Sequence, residues 1–164
     1  GGYGPALLVP GGSLIPGELC FRGPLAEANI RSLRFDTAVV TPCAVNLKDG
    51  LLGQDLDDPP AKRAGLESAG RVIAGMGLGF NPGELATVGL RIEDRVEILR
   101  ETVEIARLIW KENNASYKGK IFSFENVTIE PKPAEPIPIF CGGSSRRAIK
   151  VRKVLQSGNG RRRR

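Results

Sequence analysis

Two glycine-rich stretches hold the residue types in this sequence that could do chemistry. Gly142-Gly143-Ser144-Ser145 stands between the apolar run Ile137-Pro138-Ile139-Phe140-Cys141 and a segment from Arg146 onward that can begin a helix. Glycines let backbone approach a ligand closely. The first N–H groups of a helix have no partner of their own and attract a phosphate, and two serine hydroxyls would add donors. The same four residues also suit a plain structural turn and helix cap. Upstream, Gly75, Gly77 and Gly79 alternate after Arg71-Val72-Ile73-Ala74. This run resembles a dinucleotide fingerprint only superficially, because Phe80 stands where GxGxxG needs its third glycine, and it is no Walker motif.

Other chemistries are largely closed off. The chain has no histidine, which removes the commonest general base, the commonest zinc ligand and the middle member of a Ser-His-Asp triad. Cys20, Cys43 and Cys141 are scattered, odd in number and without CxxC spacing, so they read as reduced thiols and not as a disulfide framework or zinc site. Cys141, at the end of a strand, reads as a small packed thiol before it reads as a cofactor contact. Asp55, Asp57 and Asp58 cluster beside Pro59 and Pro60, but the spaced ligands and glycine of a calcium loop are missing. The cluster reads as solvated loop, and no metal site is expected. Asn114-Ala115-Ser116 and Asn126-Val127-Thr128 match the glycosylation pattern. With no export signal visible, they read as chance matches.

The elements that must position the two loops follow from composition and period. At 164 residues, 41% hydrophobic and 26% charged, the chain can build one modest core. Its 21 glycines and 12 prolines favour short elements. No apolar run is long enough for a membrane span and no leader is visible, so the expected compartment is the cytoplasm. The formal charge of +6 lies in the tail: Arg146 to Arg164 holds nine basic residues and no acidic one, and removing them leaves 15 basic residues against 18 acidic. The body is mildly acidic, and residues 151–164 are expected to be a basic, disordered tail.

Along the chain, residues 1–34 are Gly/Pro-rich and support at most one strand before Gly23. Phe35 to Thr41 predicts a short buried strand stopped by Pro42, and Asn46 to Arg63 reads as loop. Arg71 to Met76 predicts a strand leading into the glycine turn, and Asn81-Pro82-Gly83-Glu84 a further turn. Ile92, Val96, Leu99, Val103, Ala106 and Trp110 recur at steps of three and four, predicting an amphipathic helix of about twenty residues. Tyr117 to Lys120 reads as a turn, followed by two short strands, Ile121 to Phe124 and Val127 to Ile129, broken at Glu125-Asn126. Ile137 to Cys141 then opens a second strand, Gly-rich loop and helix. The succession is that of parallel α/β architecture, with a ligand site at the carboxyl ends of the strands.

Several of these pieces occur together and in order as they do in a known family: Gly70 to Glu84, the helix from Arg91 to Trp110, Tyr117-Lys118-Gly119-Lys120-Ile121-Phe122, Glu125 to Pro133, and Pro138 to Ser145. Over about half its length the chain resembles the luciferase-like monooxygenase superfamily, the flavin- and deazaflavin F420-dependent oxidoreductases related to bacterial luciferase. The resemblance implies a fragment of a (β/α)8 TIM barrel, roughly strands 3 to 5 with intervening helices, occupying residues 35–150. Phe35 to Pro42 resembles the third strand, Arg71 to Gly77 the fourth and Ile137 to Cys141 the fifth. Asp55 to Pro60 departs from the helix expected before Gly65.

The resemblance also implies FMN or coenzyme F420 as cofactor. Gly77, Gly79 and Asn81 would line the ring, and Gly142, Gly143, Ser144 and Ser145 would lie near the ribityl chain and phosphate. It implies an oxidoreductase acting on a small-molecule substrate, with no membrane or nucleic-acid partner. No catalytic residue is assigned, since the histidine that such proteins commonly carry is lacking. A whole barrel needs about 250 residues, so the chain supplies roughly half of one, and a homodimer is one way to cover its unpaired strand edges. The alternative is a non-catalytic α/β module whose basic tail binds polyanions.

Overall fold

A computed structural model describes residues 4–16, 20–41, 44–46, 50–52, 58–79 and 81–142. Expectations that rest on Pro42, Cys43, Asp55, Asp57, Gly143, Ser144, Ser145 and the basic tail lie outside these residues. The chain divides into two compact units, Gly1–Ala74 and Gly75–Arg164.

The first unit opens with an antiparallel hairpin, β1 (Ser13–Ile15) and β2 (Cys20–Arg22). Two strands therefore stand where the Gly/Pro content predicts at most one. The glycines punctuate the segment without preventing pairing. Helix α1 (Pro24–Ser32) starts on a proline, whose missing N–H costs nothing in a first turn. Strand β3 (Ala38–Val40) follows, then a second hairpin of β4 (Ala44–Asn46) and β5 (Gly50–Leu52), and helix α2 (Asp58–Glu67).

Two expectations are corrected here. The span Asn46 to Arg63 is not all loop, because β5 and the start of α2 fall within it. Pro59 and Pro60 occupy the first turn of α2, where a ring with φ fixed near the helical value and no N–H is tolerated. Nor is β3 a fully buried strand, since its middle residue Val39 is 64% exposed. Ala26 in α1, and Ala61 and Ala64 in α2, are buried, and Arg31 of α1 pairs with both Glu27 and Glu67.

Strand β6 (Val72–Met76) crosses the boundary between the units and is the middle member of a three-stranded sheet of order β3-β6-β9. Ala38, Val39 and Val40 pair in parallel with Val72, Ile73 and Ala74. The sheet is mixed into an α/β arrangement and is open, with no closed barrel among the described residues. No helix among them is long and apolar enough to cross a membrane.

In the second unit, β6 ends in Gly77-Leu78-Gly79. Helix α3 (Pro82–Thr87), one turn of 3-10 helix at Ile92–Asp94 and helix α4 (Arg95–Lys111) follow. Acidic Glu93, Asp94 and Glu97 at the start of α4 and Lys111 in its last turn match the helix dipole. Its buried apolar face is Leu99, Val103, Ala106 and Ile109. The expected stripe is therefore present, except that Ile109 and not Trp110 is its last buried member. Leu99 and Val103 pack against Met76, Leu78, Ile139 and Cys141. Burial of two such side chains stabilises by roughly 1.5–3 kcal/mol each.

Beyond α4 lies a hairpin of β7 (Ala115–Lys118) and β8 (Ser123–Val127), and then β9 (Ile139–Cys141). Tyr117 and Lys118 are thus strand residues, with the turn one step later, where Gly119 N–H donates to the Phe122 carbonyl at 2.8 Å. The break expected at Glu125-Asn126 is a bulge inside one strand: Ala115 faces Val127, Tyr117 faces Phe124, and Glu125 and Asn126 together oppose Ser116. Asn126 takes a positive φ of 56° to make it, a conformation asparagine tolerates.

Candidate functional site

The site predicted from sequence sits at the carboxyl ends of β6 and β9, both in the second unit. The Gly142 N–H donates to the Met76 carbonyl at 2.7 Å, so the residue that follows β9 lies against the residue that precedes Gly77. Two of the expected cofactor residues, Gly77 and Gly142, are brought side by side. Both are exposed, as is Gly79. A Cβ placed on Gly77 or Gly79 would meet nothing within 4 Å among the described residues, and Gly79 adopts a φ of +70°, which a side chain would resist. Among the described residues, Gly77 and Gly79 thus leave the backbone uncovered on either side of Leu78.

Asn81 also has a local structural role. It is the N-cap of α3, and its Oδ1 accepts the Gly83 N–H at 3.0 Å. Cys141 packs with Met76, Leu78 and Ile139 against the α4 residues Leu99 and Val103, which agrees with the packing reading of this thiol. Its neighbour Phe140, the middle residue of β9, is 56% exposed. Gly143, Ser144 and Ser145, the expected phosphate contacts, lie outside the described residues.

The polar groups that the structure organises most tightly are elsewhere, on the side of α4 away from its apolar stripe. Glu101 is completely buried there. Its Oε1 accepts the backbone N–H of Lys120 at 2.6 Å and of Ile121 at 3.2 Å, while Oε2 accepts Ile121 N–H at 3.2 Å and Phe122 N–H at 2.9 Å. Arg100 Nη2 lies 3.6 Å from Oε1. Arg100 also forks onto Glu97, with Nη2 to Oε1 at 2.6 Å and Nε to Oε2 at 3.2 Å, and reaches Glu104 at 2.5 Å. The hydrogen bond from Arg100 holds the Glu97 carboxyl below its ordinary range.

The Tyr117 hydroxyl donates to Glu104 Oε2 at 2.8 Å, and its ring stacks on Phe124 with centroids 6.1 Å apart. Burial, then the bond to Glu104, push its pKa up to about 12. At the far end of the helix, Lys132 Nζ donates to the carbonyls of Ile109 and Glu112, each at 2.7 Å. Periodicity could not have found Glu101, because an acidic residue off the apolar stripe of a helix reads as solvated. Only the hairpin laid over that face buries it.

Comparison with known proteins places this geometry in context. Residues 65–152 match the family model described as luciferase-like monooxygenase. An F420-dependent glucose-6-phosphate dehydrogenase of Segniliparus rotundus is 30% identical over 153 residues, which is 91% of this chain and 43% of that protein. The enzyme of the same name from Amycolatopsis mediterranei is 27% identical over 132 residues, 79% of this chain and 38% of its own length. Among solved structures, the monooxygenase RslO1 from Streptomyces bottropensis is 26% identical, with a TM-score of 0.47 over 71% of this chain and 34% of that one. The chain thus spans about two fifths of the curated relatives it matches. The family model covers more than half of the chain, including both glycine-rich strand ends and the hairpin between them, and the chain belongs to the luciferase-like monooxygenase family.

Proposed function

We propose that this chain is part of a (β/α)8 barrel oxidoreductase, and that the carboxyl ends of β6 and β9 hold one side of a bound FMN or coenzyme F420. The observation that carries the reading is the Gly142 to Met76 hydrogen bond, which sets two glycine-rich strand ends together. The residues fit such a cofactor. A flat ring needs a wall with no side chains, and Gly77 and Gly79 leave open the space that a Cβ would fill. The dehydrogenases of Segniliparus rotundus and Amycolatopsis mediterranei are F420-dependent by name, which supports F420 as the first cofactor to test. When bound, a reduced flavin or F420 supplies hydride transfer.

In this reading the chain's own residues bind and orient. The backbone of Gly77 and Gly79 faces the ring, and Asn81 holds the turn in place through its cap on Gly83. Gly142 and Gly143 would let the chain approach the ribityl arm, and Ser144 and Ser145 would supply hydroxyl donors for the phosphate. Leu99 and Val103 support the strand ends from behind.

Titration of the purified chain with F420 and with FMN, followed by cofactor fluorescence, tests the proposal. Saturable binding to the wild type is expected. It should weaken at least about tenfold in Gly77→Val, which fills that open space, and in the Ser144→Ala/Ser145→Ala double variant, which loses two donors to a charged group. A wild-type chain that unfolds cooperatively yet binds neither cofactor overturns the reading.

A further inference from the structure

The turn between β7 and β8 directs three successive N–H groups, those of Lys120, Ile121 and Phe122, at one point, and a carboxylate occupies that point. Converging backbone donors of this kind are an anion-binding device. The carboxylate is that of Glu101, completely buried on a separate element, 19 to 21 residues away in the chain. Gly119 completes the arrangement, since a Cβ there would overlap the Glu101 carboxyl group and come within 2.6 Å of Oε1. No buried side-chain polar atom among the described residues lacks a partner; both Glu101 oxygens accept from the three amides, and Arg100 Nη2 lies 3.6 Å from Oε1.

We infer that the Gly119–Phe122 turn is a carboxylate-binding site whose built-in ligand is Glu101, and that occupation of this site docks the hairpin on α4. The inference is independent of the cofactor reading and concerns a different face of the helix. It makes a chemical demand that simple packing does not. Replacing Glu101 by Ala removes a CH2–COO⁻ group, which is acetate less one hydrogen. Free acetate should therefore enter the vacated site and restore what the substitution removes. Glutamine should not substitute well, because its amide nitrogen presents a donor to N–H groups that need an acceptor.

The test is thermal unfolding of wild type, Glu101→Ala and Glu101→Gln in sodium acetate, sodium chloride and sodium pivalate at equal ionic strength. Both variants should melt lower than wild type. Acetate should raise the melting temperature of Glu101→Ala above its value in chloride. Pivalate, too bulky for the site, should not, and wild type should respond alike to acetate and chloride. Equal melting of Glu101→Ala in acetate and chloride overturns the inference. Hydrogen exchange on the wild-type chain provides the second measurement should Glu101→Ala fail to fold. The amides of Lys120, Ile121 and Phe122 should exchange as slowly as those inside α4, and Gly119→Ala should release the same three. Exchange of these amides at the rate of an open loop in wild type overturns the inference equally.

Discussion

Tyr117 and its neighbours show how much one residue's chemistry depends on what covers it. Its hydroxyl is half-buried and donates to Glu104, so the folded chain favours the protonated phenol. The folded pKa of about 12 lies above the ordinary 10.0. The stabilisation is therefore complete below about pH 10 and is lost as pH rises through the folded value. Spectrophotometric titration of a Tyr3→Phe chain, in which Tyr117 is the remaining tyrosine, should show the phenolate forming near the higher value. Glu104→Gln should bring it down. Titration at the ordinary value would mean that Tyr117 is not docked on α4. Glu97 works in the opposite sense: its carboxyl is held low by Arg100, so the fork it makes persists above the ordinary carboxylate range and is lost as acid carries the pH through its depressed value. At this scale the sequence was informative about backbone and silent about charge. The glycine turn after β6 could be read from Gly77 and Gly79, and Gly79 takes the positive φ of +70° that glycine permits, whereas nothing in the order of residues distinguishes Glu101 from its acidic neighbours Glu97 and Glu104.

At the scale of elements, the hairpin of β7 and β8 is held by a reciprocal lock. Asn114 N–H donates to Thr128 Oγ1 at 2.8 Å, and the Thr128 hydroxyl donates back to Asn114 Oδ1 at 3.3 Å. Asn126 N–H donates to Ser116 Oγ at 3.1 Å. Each Asn-x-Ser/Thr tripeptide thus supplies the hydroxyl that serves the asparagine of the other. Their coincidence in sequence has a structural use, as both asparagines take positive φ and need their backbone N–H groups engaged. Thr128→Val, which keeps the shape and removes both bonds at Asn114, should cost about 1 kcal/mol in chemical denaturation. No loss would mean that the lock contributes nothing. Elements with a clear period, α4 and β6, were legible because hydrophobic spacing records which face is buried. The hairpin β1–β2, strand β5 and the start of α2 were not. They are short, rich in glycine or proline, and depend on pairing with distant segments for their existence.

For the molecule as a whole, family membership rests on an ordered set of motifs, and the structure separates them by purpose. The glycine-rich strand ends belong to the candidate cofactor site. The rest of the set, Tyr117 to Phe122 and Glu125 to Pro133, is joined to α4 through Glu101, Glu104 and the helix's last carbonyls. What makes the chain recognisable therefore includes the segments that fasten the β7–β8 hairpin to α4. The parallel α/β character was legible because strand, glycine loop and helix recur. How many strands complete the sheet was not, because the chain spans only part of its relatives, and β3 and β9 are the outer strands of the sheet only among the described residues.

Lys132 at the end of α4 also gives the chain an internal reporter. Its ammonium group is engaged by two carbonyls, those of Ile109 and Glu112, so an acylating reagent can modify it only when that end of the helix opens. In amine-labelling mass spectrometry of the native chain, Lys132 should lag behind exposed Lys118 and Lys120, and the difference should vanish in denaturant. Equal labelling in the native chain would refute the cap. The lag measures how often the hairpin and the helix end part company, at one defined atom and without any cofactor present.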